Sequence, residues 1–208
     1  MSPRDTILER VRHNQPASRR LPELPNFDRP LAAPFDTFSA ALARMGGEVV
    51  ELPASETLDE FVRARFPQAR VICSVTPEAQ GTRDLGSVRA AADLDDVDVG
   101  IVRGAFGVAE TGSVYLSERE VGLNALAFLA QHLVVLLDPA AIVPDLHHAY
   151  RQRGFHEARY AVLMTGPSAT ADIEGVLIRG AQGIRTLTVI PSIATVSPSP
   201  TFIERSKP

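Results

Sequence analysis

The unbroken apolar run Leu133-Val-Val-Leu-Leu137 places the tightest limit on how this 208-residue chain can fold. Successive side chains of a β-strand point to opposite faces, so a strand built from this run has no face to offer to water. It must lie inside a sheet that is covered on both sides. Other strand-like runs occur at residues 48–52, 69–75, 97–101, 114–116, 161–164 and 186–190. Helical spacing separates them. Phe35, Phe38, Leu42 and Met45 recur ahead of a Gly46-Gly47 stop, and Leu58, Phe61 and Val62 mark a second helix. Ile142, Val143, Leu146, Ala149 and Tyr150 share a helical face that ends at Gly154. A further helix is expected from Ser168, with Ile173, Val176, Leu177 and Gly180 in one buried stripe. Strands alternating with helices of this length predict a three-layer α/β fold: a mostly parallel sheet with helices on both faces.

That domain is expected over residues 35–190, between two simpler ends. Within residues 1–34, Ile7, Leu8 and Val11 have the spacing of a short amphipathic helix with Asp5 as its cap. Pro16, Pro22, Pro25, Pro30 and Pro34 then make an extended arm, lying over the domain or over a partner. Residues 191–208, rich in Pro and Ser, read as a flexible tail.

Charge and residue counts exclude several chemistries. A net charge of −4 gives no broad electrostatic reason to bind nucleic acid or an anionic membrane. No apolar run approaches the ~20 residues of a membrane span, and the Arg-bearing start lacks the apolar core of a secretory signal, so a cytoplasmic location is expected. Cys73 is the single cysteine, which rules out an internal disulfide and an iron–sulfur cluster held by this chain alone. Lys207 is the single lysine, beside the last residue, so Schiff-base and phosphate-loop lysines are discounted. A positive charge placed to meet a substrate carboxylate has to be arginine; Arg103, Arg179 and Arg185 lie near the motifs below.

Two segments gather groups capable of chemistry. The first, Gly104-Ala-Phe-Gly-Val-Ala-Glu-Thr-Gly-Ser113, sits between two strands and brings Gly107, Glu110, Thr111, Gly112 and Ser113 to a strand edge. Glycines there allow backbone N–H groups to approach a ligand while Glu110 points into the same space. The same residues also make an ordinary glycine-rich hairpin with an exposed Glu110. Their spacing matches neither a dinucleotide fingerprint nor a phosphate loop. In the second, Thr165-Gly-Pro-Ser-Ala-Thr-Ala-Asp172, a strand runs into a turn of the kind whose carboxyl edge binds ligands in open α/β sheets. Thr165, Gly166, Ser168 and Asp172 are its candidate contacts, although Asp172 equally suits the first turn of a helix. No metal site is expected, because the adjacent His147 and His148 would lie about 100° apart on a helix. His132 is either an acid–base group or a hydrogen-bonded structural histidine, and Cys73 reads as a small buried hydrophobe.

Taken together, Ala109-Glu-Thr-Gly-Ser113, Thr165-Gly-Pro-Ser-Ala-Thr-Ala-Asp-Ile-Glu174 and Gly180-Ala-Gln-Gly-Ile-Arg185 resemble the LUD-domain family of lactate utilization protein C, over roughly residues 35–190. The chain departs from that pattern at Gln182 and Ile184, where His and Pro are usual. The resemblance implies a fold like that of phosphosugar isomerases and CoA transferases. It also implies a part in oxidising L-lactate to pyruvate beside partner proteins, one of them carrying iron–sulfur clusters. Because the chain shows no flavin, nicotinamide or iron–sulfur motif, the expectation is a non-redox component that holds a small carboxylate or an organic cofactor of unknown identity. Two alternatives stay open. Glu110-Thr111-Gly112 looks like the Glu-x-Gly of CoA transferases, with Glu110 as nucleophile, and a regulatory or scaffolding protein would use the proline-rich arm. Neither composition nor motif decides against a homo-oligomer.

Overall fold

In the computed structural model, which describes residues 2–23, 25, 31–172 and 174–192, the apolar run forms the middle strand of a parallel sheet. The first part of the chain forms α1 (Pro3–His13), α2 (Pro34–Arg44), β1 (Glu48–Val49), α3 (Leu58–Arg65) and β2 (Ile72–Ser74). It continues through β3 (Val99–Arg103), β4 (Phe106–Val108), β5 (Ser113–Ser117), α4 (Glu118–Val121), α5 (Leu126–Leu129) and β6 (His132–Leu137). Then follow β7 (Ile142–Val143), α6 (Leu146–Tyr150), α7 (Arg153–Glu157), β8 (Ala161–Met164), β9 (Ala169–Thr170), β10 (Ile178–Arg179) and β11 (Thr186–Pro191). The central sheet has the order β1-β11-β6-β3-β2, and every pairing in it is parallel.

The strand period sorts the core into two faces. Leu133, Val135 and Leu137 of β6 join Phe38 and Leu42 of α2 and Leu126 of α5 in one cluster. Val134 and Leu136 join Leu58, Phe61 and Val62 of α3 in another. The five apolar side chains of β6 are at most 2% exposed, and each buried Leu or Val contributes about 1.5–3 kcal/mol of transfer free energy. Thr188 of β11 is the polar exception inside the sheet. Its hydroxyl donates to Glu48 Oε1 at 2.8 Å, so its burial leaves no unmet donor. The predicted α/β fold, with a parallel central sheet and helices on both faces, is therefore present.

A second sheet, of order β7-β4-β5-β8, grows from the end of the first. Gly104 extends the β3 ladder by donating to Leu136 O at 2.8 Å, and Ala105 turns to Tyr115 O at 3.2 Å. β5 then runs antiparallel to both β4 and β8, and β7 parallel to β4. Phe106, Val108 and Tyr115 on its outer face pack against Ala149, Leu146 and Phe155 of α6 and α7, while Val114 and Leu116 face the main core. The expected long helix over residues 142–154 is instead divided. Ile142 and Val143 pair as a strand, α6 begins only at Leu146, and Gly154 lies inside α7 rather than at a helix end.

The helix expected from Ser168 does not form. Ala169–Thr170 and Ile178–Arg179 pair antiparallel as a hairpin, and Glu174 and Gly175 take positive φ between them, which no helix tolerates. Val176 and Leu177, assigned to a buried stripe, are 59% and 56% exposed, and Ile173 falls outside the described residues. Near the start of the chain, α1 does form. Ser2 rather than Asp5 is its cap: Ser2 Oγ accepts from Asp5 N, and Ser2 N donates in turn to the Asp5 carboxylate at 3.0 Å. Pro34, read as the last of the arm's prolines, opens α2. Pro30 lies outside the described residues, as does the expected tail from residue 193 on.

Leu133→Ala is expected to lower the unfolding free energy by about 2–5 kcal/mol in urea titrations. Val176→Ser and Leu177→Ser should each change it by less than ~0.5 kcal/mol, the reverse of what a buried helical stripe would give.

Candidate functional site

The two motif segments meet through strand pairing. β5 and β8 are antiparallel with Val114 opposite Met164, which sets Ser113 and Thr165 at the next position along the ladder. Ser113 Oγ is hydrogen-bonded to Thr165 Oγ1 on one side and to Thr111 Oγ1, 2.7 Å away, on the other. Three hydroxyls thus form a chain whose centre, Ser113, is 5% exposed and whose ends are half-buried. Each hydroxyl carries one proton and accepts through oxygen. A chain of three keeps a donor or an acceptor at its ends for a ligand and can reverse its direction to suit.

Two glycines seat this cluster under the carboxyl end of α2. The turn before β5 closes with Gly112 N donating to Val108 O at 2.9 Å, and Gly112 has φ +68°. A Cβ there would overlap the Leu42 backbone nitrogen. Gly166, at φ +66°, would place a Cβ 2.5 Å from Met45 O. Both positions need the left-handed region and a bare Cα, so α2 and the turn after it lie directly on the two motifs. Gly107 serves packing of another kind, since a Cβ on it would press on Leu137, Phe38 and Ile142.

The remaining candidates lie elsewhere. Glu110 is exposed, and its Oε2 accepts from Leu146 N at 3.2 Å, at the start of α6. Ser168 belongs to the base of the β9–β10 hairpin. Its N–H donates to Ile184 O at 2.9 Å, and its carbonyl accepts from Gly180 N at 2.7 Å. Asp172 accepts from the Thr170 hydroxyl at 2.8 Å within the hairpin. Hence Thr111, Ser113 and Thr165 come together, with Gly112 and Gly166 beneath α2, whereas Glu110, Ser168 and Asp172 make separate local contacts.

The structure also ranks the three arginines. Arg103 is ion-paired with Glu78 and donates to Ser192 O at 3.0 Å, at the carboxyl edge of the parallel sheet. Arg185 lies beside His132 at the opposite edge. Only Arg179 reaches the α2–β1 turn; its guanidinium lies across Gly46, one residue from Gly47, which touches Gly166. Glu78 is a polar group that sequence reasoning missed. It stands far from Arg103 in the chain, and its Oε2 is buried with no hydrogen-bond partner. No local spacing announces such a pair.

His132 resolves as a structural group. Its Nδ1 is 2.8 Å from Thr186 Oγ1, and its ring stacks on Phe66 with centroids 4.5 Å apart. Burial, and then the nearby Arg185 cation, hold its pKa below the ordinary value of 6.5. Cys73 is fully buried, and burial raises its thiol pKa, as suits an inert core side chain. Among the described residues no group of three or more His, Cys, Asp or Glu is placed to hold a metal ion, and no helix is long and apolar enough to cross a membrane.

Comparison with known proteins places these segments in context. The profile of the LUD domain matches residues 87–190, which include the hydroxyl cluster. Lactate utilization protein C of Anoxybacillus flavithermus is 26% identical over 151 residues, covering 71% of this chain and 64% of that protein. The protein of the same name from Deinococcus radiodurans is 30% identical over 102 residues, 48% of each chain. The chain thus spans less than two thirds of the length of these curated relatives. A crystal structure of a DUF162 family protein from Deinococcus radiodurans shares the fold, with a TM-score of 0.56 at 19% identity, over 78% of this chain and 99% of that one.

A lowered histidine pKa means that the folded state resists a proton which the unfolded chain accepts. The contribution of His132 to stability is therefore complete above about pH 6.5 and is lost as pH falls from there through its folded-state value. Urea unfolding of the wild type at about pH 8 and about pH 5 should show this loss, and His132→Gln should reduce it.

Proposed function

The chain belongs to the LUD-domain family, and on that premise we propose that it is a non-redox component of an L-lactate utilization system that binds a small carboxylate. The observation that carries this reading is the convergence of Thr111 and Ser113 with Thr165 from a separate segment under the end of α2. Hydroxyls held in a chain by neighbouring strands are already oriented, so a carboxylate docking on them costs little further ordering. Arg179, across the adjoining turn, supplies the positive charge such a ligand calls for. The names of the relatives support the choice of lactate utilization.

Conversion of L-lactate to pyruvate removes two electrons, and a chain with one buried cysteine has no cluster of its own to take them. In this reading the acceptor belongs to iron–sulfur partner subunits in the cytoplasm, and this chain binds and positions. The kinship with phosphosugar isomerase and CoA transferase folds is part of the same proposal. A CoA-transferase reaction would need the Glu110 carboxylate free to attack an acyl-CoA, whereas its Oε2 caps the start of α6.

Deleting the gene should abolish growth on L-lactate while growth on pyruvate continues. The wild-type gene should restore it, and one encoding both Ser113→Ala and Thr165→Val should not. Growth on lactate without the gene, or full rescue by the double variant, would overturn the reading. After incubation of the purified chain with acyl-CoAs, intact-mass measurement should show no adduct on Glu110.

A further inference from the structure

The helix α1 is well specified by its sequence and yet buries none of its residues. Its capping box fixes the first turn, and Pro3 stands at the first helical position. At 11 residues it is shorter than the ~12–15 that an isolated helix needs to persist in water, so it calls for a surface to lie on. Ile7, Leu8 and Val11 share one face, and Ile7 and Val11 are 62% and 55% exposed. Arg4 and Arg10 flank Ile7 at three residues on either side, and Arg12 follows Leu8 by four, so arginines border the apolar stripe. Asp5 and Glu9, four apart, fall on the opposite side of the helix.

Charge is segregated along the chain in the same sense. Residues 1–20 hold Arg4, Arg10, Arg12, Arg19 and Arg20 against Asp5 and Glu9, a net charge of +3; with −4 for the whole chain, residues 21–208 carry −7. A surface that fits a basic, apolar helix is present on this chain. In the β9–β10 hairpin, Val176, Leu177 and Ile178 form an exposed apolar run, and the exposed Asp172 and Glu174 stand beside it. Arg179, the hairpin's cation, lies instead over Gly46. A two-stranded ribbon of this size is itself marginal in water, so it too gains from being covered. Within one molecule both surfaces stay bare.

We propose that α1 of one copy of this chain docks on the β9–β10 hairpin of a second copy, reciprocally, in a two-fold dimer. Ile7, Leu8 and Val11 cover Val176, Leu177 and Ile178, and the bordering arginines meet Asp172 and Glu174. Residues 14–33, which join α1 to α2, can span up to about 70 Å, enough for α1 to cross to a neighbouring molecule while α2 stays in place. A two-fold arrangement uses each surface once per copy and closes, so the association stops at two. Three apolar side chains from each side make a small interface, under about 1,200 Å², of the class that associates weakly. The dimer therefore forms at high protein concentration and comes apart in the dilute solutions used for unfolding. None of these side chains takes part in the carboxylate binding proposed above.

Sedimentation equilibrium of the full chain should give the monomer mass at about 5 μM and a mass rising toward twice that value at about 500 μM. Ile7→Ser combined with Val11→Ser should abolish the rise, at exposed positions that do not endanger folding. Arg4→Glu, Arg10→Glu and Arg12→Glu together should weaken self-association about 10-fold, and adding Glu174→Arg to them should restore part of it. Exchange between copies is read by NMR. Cys73 is buried, so a nitroxide can be placed on His13→Cys alone; that chain, mixed with nitrogen-15-labelled wild type, should broaden the amides of residues 174–178 in the labelled copies. A monomer at every concentration, a dimer indifferent to these substitutions, or broadening only when nitroxide and isotope share one chain, as in folding back within a molecule, would overturn the proposal. A chain that stays monomeric and floats with phosphatidylserine vesicles would assign α1 to a membrane surface and overturn it as well.

Discussion

Burial of β6 on both faces is the constraint on which the rest of the molecule depends. A strand with no polar side must have strands on both flanks and helices on both faces, and its parallel neighbours meet that need, β11 in register from His132 to Leu137 and β3 from His132 to Leu136. Once β3 is locked beside β6, the chain leaves it at Arg103 and Gly104 and begins the second sheet there. The placement of β4 and β5, and with them of Thr111 and Ser113, follows from where β3 ends. β8 then pairs with β5 and brings Thr165 to Ser113. The candidate site is thus a consequence of the central packing, reached in two steps of hydrogen-bonded pairing.

The strands were legible because apolar alternation is a local signal. Residues 133–137, 161–164 and 186–190 could be read directly, since burial on one face or two leaves a distinct pattern in so few residues. The same rule misled at Ile173, Val176, Leu177 and Gly180. Their spacing suits a buried helical stripe, but Gly175 sits within it, and a turn with positive φ at Glu174 and Gly175 took precedence. Residues 142–154 failed for a related reason. Ile142 and Val143 fit one face of a helix equally well as an edge strand, and only the presence of β4 decides between the two.

Within the candidate site, the glycines and hydroxyls could be singled out from sequence, but their division of labour could not. Gly112 and Gly166 stand out as turn residues; that both touch the end of α2 is a matter of tertiary packing. Glu110 looked the most reactive group because it is the one carboxylate in its motif. Its engagement by Leu146 N–H depends on how α6 docks. Pairs such as Glu78 with Arg103 leave no trace in local spacing at all.

The short turn Met45-Gly46-Gly47 is gripped from two directions: Gly166 bears on Met45 and Gly47, and Arg179 lies over Gly46. This arrangement makes the turn a mechanical joint between the β9–β10 hairpin and the hydroxyl chain. Arg179, on the hairpin, and Gly166, next to Thr165 in the chain, therefore rest on one and the same turn.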